Sequence, residues 1–61
     1  MRADIQGALD QIDRSWKAFE HKGQPMQKHQ VKAVLEYGLK QGYKHTGELL
    51  DSEVDKVLIN L

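Results

Sequence analysis

Ile5, Leu9, Ile12, Trp16 and Phe19 recur at spacings of four, three, four and three. Only a helix gathers residues spaced in this way onto one face, so the seam requires the first third of the chain to be helical. Asp, Arg, Gln and Lys fill the other faces. Asp4 stands where a cap or first-turn acid belongs, and Gly23 followed by Pro25 is a natural stop. The spacing therefore predicts one long helix from about 4 to 21. Two heptads are too few for a coiled coil on their own, so the seam reads first as the core face of a domain.

A second helix is expected from about 27 to 41. Met26 before Gln27, with Gln30 three positions on, has the form of a hydrophobic staple and a weak capping box. Val31, Val34, Leu35, Gly38 and Leu39 share its apolar face, and Gly42 closes it as a left-handed cap. Gly38 lies within that face. A mid-helix glycine costs about 1 kcal/mol relative to alanine, which points to close approach by another element. The third helix is expected from about 51 to 60, with Asp51 or Ser52 as its cap and Glu53 and Asp55 in its first turn. Val54, Val57, Leu58 and Leu61 form its core face. The fold class implied is all-α, a small three-helix domain filling 1–61 as a single unit.

Composition narrows the function. A 61-residue chain hides only about 60% of the surface its unfolded form exposes, so a cleft enclosing a substrate would use up much of its core. There is no cysteine, which removes disulfides, thiolate metal sites and cysteine nucleophiles. No phosphate-cradling glycine loop or nucleophile elbow is present. The expectation is a protein that is not an enzyme, with no catalytic residue, cofactor or small-molecule substrate. His21, His29 and His45 fall in separate segments without HxxxH spacing, so no metal site is expected. Asp51-Ser52-Glu53-Val54-Asp55 opens like a calcium loop, but Lys56 stands where such a loop needs glycine. Met1-Arg2-Ala3-Asp4 places an acid where a secretory signal carries basic charge, and the apolar runs are pairs and triplets. A cytoplasmic protein that does not enter a membrane is expected.

Nine Lys and Arg balance nine Asp and Glu, yet the balance is uneven along the chain. Residues 21–45 hold Lys22, Lys28, Lys32, Lys40 and Lys44 against Glu36 alone, whereas residues 46–61 hold Glu48, Asp51, Glu53 and Asp55 against Lys56. Tyr37 and Ile59 lie off the apolar stripes of their helices and mark a candidate second buried surface. The function expected is a non-enzymatic protein–protein interaction or regulatory module whose partner is a second copy of itself, a homodimer that sets the basic second helix near the acidic end of its partner. The alternative is a nucleic-acid-binding protein using Lys28, Lys32, Lys40 and Lys44, with Tyr37 and Tyr43 available for stacking.

Overall fold

The computed structural model describes residues 3–61; Met1 and Arg2, on which the expectation of no secretory signal partly rests, lie outside them. The all-α, three-helix expectation is overturned. Among the described residues the chain forms four α-helices, α1 (Ile5–Asp10), α2 (Ile12–Ser15), α3 (Lys28–Lys40) and α4 (Asp51–Ile59). A two-stranded antiparallel sheet, β1 (Glu20–His21) with β2 (Gln24–Pro25), and two 3₁₀ turns at Trp16–Ala18 and Thr46–Glu48 complete a small mixed fold. No helix among the described residues is long and apolar enough to cross a membrane.

The long first helix is broken at Gln11, whose φ of −116° and ψ of 30° leave the helical region. Its carbonyl restarts the chain as α2, accepting from the Arg14 and Ser15 N–H groups at 2.9 and 2.8 Å. The carbonyl of Ala8, left free by the break, accepts from the Ser15 hydroxyl at 2.8 Å. Size supplies the reason for the break. A straight helix over the expected span 4–21 would run about 27 Å at about 1.5 Å per residue, longer than any axis of a molecule measuring 24 × 23 × 20 Å. Bending at Gln11 wraps the segment around α3, so that Ile5 and Ala8 enter the core while Leu9, Ile12, Trp16 and Phe19 pack against its edge.

What was expected to be the end of that helix is a hairpin. Glu20 pairs with Pro25 and His21 with Gln24, joined by Lys22 at φ 52° and Gly23 at φ 78°. Two consecutive positive φ values define the tight turn whose twist matches that of paired strands, and glycine adopts the second at no steric cost. Pro25 is tolerated because a two-stranded ribbon has only edge strands.

The second and third helices form close to their sequence signals. Gln30 Oε1 accepts from the Gln27 N–H at 2.8 Å and satisfies one of the N-terminal donors of α3. At its other end Tyr43 N–H donates to Gly38 O at 2.9 Å and Gly42 N–H to Leu39 O at 3.0 Å, the paired bonds of a Schellman closure. The N-cap of α4 is Leu50 rather than Asp51 or Ser52. Leucine has no side-chain acceptor, so capping falls to Glu53, whose Oε1 accepts from the Leu50 N–H at 3.0 Å.

The core consists of Ile5, Ala8, Met26, Val31, Val34, Leu35 and Val54. Ile5 is its centre, fully buried, and its Cδ1 fills the notch at Gly38: a β-carbon placed there would lie 2.8 Å from it. Backbone bonds pin this segment in place, with Ile5 N–H donating to Lys44 O at 2.9 Å and Thr46 N–H to Ala3 O at 2.8 Å. The close approach implied by a glycine inside an apolar stripe is thus made by α1.

Candidate functional site

The hairpin and α4 are joined by an electrostatic clasp. His21, only 11% exposed in its side chain, meets Asp55 Oδ1 through Nε2 at 2.7 Å and faces Asp51 through Nδ1 at 3.9 Å. Lys22 Nζ donates to the other Asp55 oxygen at 2.7 Å. The Lys22 ammonium, followed by the His21 ring, holds the Asp55 carboxyl below the usual carboxylate range. This uses His21 as a structural tether. His29 is exposed on α3, and His45 sits at the bridge to Asp4, so the three histidines do not converge. No group of three or more His, Asp and Glu with metal-binding geometry occurs among the described residues.

A second cluster binds α3 to α4. Glu53 Oε2 accepts from the Tyr43 hydroxyl at 2.8 Å and the Tyr37 hydroxyl at 3.0 Å, while its Oε1 caps the helix. The Leu50 N–H, then Tyr43 and Tyr37, lower the pKa of Glu53. The hydrogen bonds to Glu53, with burial adding to them, raise those of both phenols. A carboxylate whose pKa is lowered by folding contributes stability that is present above its unfolded pKa and lost as pH falls through the folded one. Wild-type melting temperature should therefore fall on acidification below about pH 4. Glu53→Gln should melt lower at neutral pH and lose less on acidification, as followed by circular dichroism. An acid slope identical in the variant would remove Glu53 from this role.

Beneath the hairpin lies a cleft of about 290 Å³. Phe19, Met26, Leu35, Leu49 and Val54 form its apolar wall; of its polar members Glu20, His21, Thr46 and Asp51, His21 and Asp51 already belong to the clasp. A larger and shallower groove of about 760 Å³ runs along the outer side of α3 and the C-terminal end of α4. Ala33, Tyr37, Leu39, Val57 and Leu61 give it an apolar floor, and Glu36 and Lys40 stand on its rim. Leu39 is 37% and Leu61 59% exposed.

Tyr37 lies in this groove, half-buried, with its hydroxyl held by Glu53. Ile59 does not join it. It follows Val57 by two residues, a rotation of about 200° around the helix at about 100° per residue, and it faces solvent at 81% exposure. The two off-stripe residues therefore do not form one patch.

The basic residues are dispersed as well. Lys28 is paired with Asp13 across to α2, and Lys44 offers its backbone, accepting from Ile5 and donating to Glu48 Oε2 at 2.6 Å. Lys32 and Lys40 have no ion-pair partner among the described residues. The tyrosines expected to be available for stacking are tethered through their hydroxyls to Glu53. The acidic C-terminal segment is largely occupied within its own chain by Lys22, His21 and the tyrosines. Sequence reasoning missed the clasp and the Glu53 cluster. Only the spacing of Leu50 and Glu53, one half of a capping box, signalled Glu53 locally.

No family model, curated protein or solved structure matches the chain.

Proposed function

We propose that the protein is a non-enzymatic protein–protein interaction module that self-associates through the groove along α3 and α4. The observation that carries this reading is the groove itself, an apolar floor left open between two helices and continuous with exposed Leu39 and Leu61. Two other features support it. Two of the polar residues around the enclosed cleft, His21 and Asp51, are engaged in holding the hairpin to α4, a structural task. Internal pairing also consumes Lys28, which reduces what the basic segment offers to phosphates.

The test is a dilution series of isotope-labelled protein from millimolar to micromolar, followed by amide chemical shifts. Concentration-dependent shifts should concentrate at Ala33, Tyr37, Leu39, Val57 and Leu61. Shifts that do not change with concentration would contradict self-association.

A further inference from the structure

The proposed self-association leaves open how two copies meet, and the charges on the groove rim answer it. Ala33, Glu36, Tyr37 and Lys40 stand three, four and seven residues along from the first, so they form one stripe on α3, and all of them line the groove. Among the described residues, Glu36 and Glu20 are the acids that neither pair with a base nor accept a hydrogen bond; Asp13 is paired with Lys28, Asp10 accepts from Gln6, and the others are used in caps, in the clasp or in the Glu53 cluster. Lys40 is equally without an acidic partner, although it follows Glu36 by four residues, a spacing that permits pairing within a helix. One unpaired acid and one unpaired base on the same stripe make a pattern that is complementary to itself once the helix direction is reversed.

Resting on that reading of function, we propose that two copies pack with their α3 helices antiparallel about a two-fold axis between Glu36 and Lys40. Each Glu36 then meets the Lys40 of the partner copy. The apolar floor of each groove, with Tyr37 and Leu39 nearest the axis, is covered by the other chain. An isologous contact repeats each pairing twice and closes on itself, so it yields a dimer and not a filament. Helices that cross at an angle diverge within a turn or two, which keeps Lys32 clear of the basic residues of the second copy. A stable interface takes about 800 Å² from each partner, close to a fifth of the 4337 Å² that this chain exposes. The outer face of α3 together with the groove provides one whole side for it. A partner of uniform charge would meet one repulsive residue for every attractive one on this rim, which favours a second copy as the occupant.

Charge reversal tests the arrangement by light scattering on a sizing column, with circular dichroism to establish that each variant is folded. Glu36→Lys and Lys40→Glu each create like-charge contacts across the axis and should weaken the dimer on the order of tenfold or more. Mixing the two single variants sets opposite charges against each other and should restore a dimer, now mixed. The double variant Glu36→Lys/Lys40→Glu is again self-complementary and should dimerise as the wild type does. A dimeric wild type whose mass ignores both single reversals, or whose loss is recovered by neither the mixture nor the double variant, would overturn the α3 pairing while leaving self-association standing. A wild type that stays monomeric would overturn both.

Discussion

Ile5→Ala should remove most of the stability of this domain. Ile5 is the residue with no exposed surface at the centre of the core, and truncating a buried isoleucine costs about 2–5 kcal/mol. A chain of 61 residues has only about 3–9 kcal/mol in total at the usual stability per residue. The urea midpoint should fall by half or more, and at physiological temperature a large fraction of the variant should be unfolded. Trp16→Ala should cost less, although tryptophan is the largest side chain of the heptad seam, because Trp16 is packed against the edge of the core and is only half-buried. A midpoint lowered more by Trp16→Ala than by Ile5→Ala would move the centre of the core away from α1.

Gly38→Ala should also destabilise, against the ordinary preference of helices for alanine. Helix propensity alone favours the substitution by about 1 kcal/mol. The new β-carbon would lie 2.8 Å from Ile5 Cδ1, closer than carbon atoms approach, with two Leu49 methyls at 3.7 and 3.8 Å behind it. Overpacking of this kind costs about 1–3 kcal/mol and should outweigh the propensity gain. Ile5→Val removes the offending methyl. In that background Gly38→Ala should become neutral or stabilising, giving a coupling of about 1–3 kcal/mol in a double-mutant cycle measured by urea denaturation. Simple additivity of the two substitutions would show that Ile5 does not fill the notch.

The parts of the fold visible in the sequence were those fixed by local chemistry. The boundaries of α3 follow from Gln27, Gln30 and Gly42, and α4 begins where acids suit a helix N-terminus. Gly38 announced a close approach, although not by which element. The break at Gln11 had no such mark, because glutamine is a good helix former and the seam runs through it without a missed beat. It follows from tertiary geometry, the limited length of the molecule and the Ser15 hydroxyl that takes the Ala8 carbonyl. The hairpin was hidden for a related reason. Gly23 stops a helix as readily as it closes a turn, and Lys22 gives no hint of a positive φ.

The same division runs through the candidate site. Tyr37 stands off the apolar stripe of its helix, and the structure places it on the groove. Ile59 stands off its stripe in the same way, yet it emerges away from the groove and faces solvent. Helical periodicity separates core from surface on each helix alone, and only the placement of helices against one another shows which off-stripe residues share a face. The clasp links residues 34 positions apart in sequence, a separation that no local pattern reports. Its effect on charge is considerable. The acids of the C-terminal segment, expected to face the basic helix of another copy, are spent on their own hairpin and tyrosines. The self-association proposed above therefore rests on apolar surface and on the few charges left unpaired.

Sedimentation equilibrium of the wild-type protein at neutral pH and physiological salt, from micromolar to millimolar, tests this account most directly. A mass that rises with concentration toward twice the 7.0 kDa of the chain is the predicted result. A mass of 7.0 kDa throughout that range would contradict it.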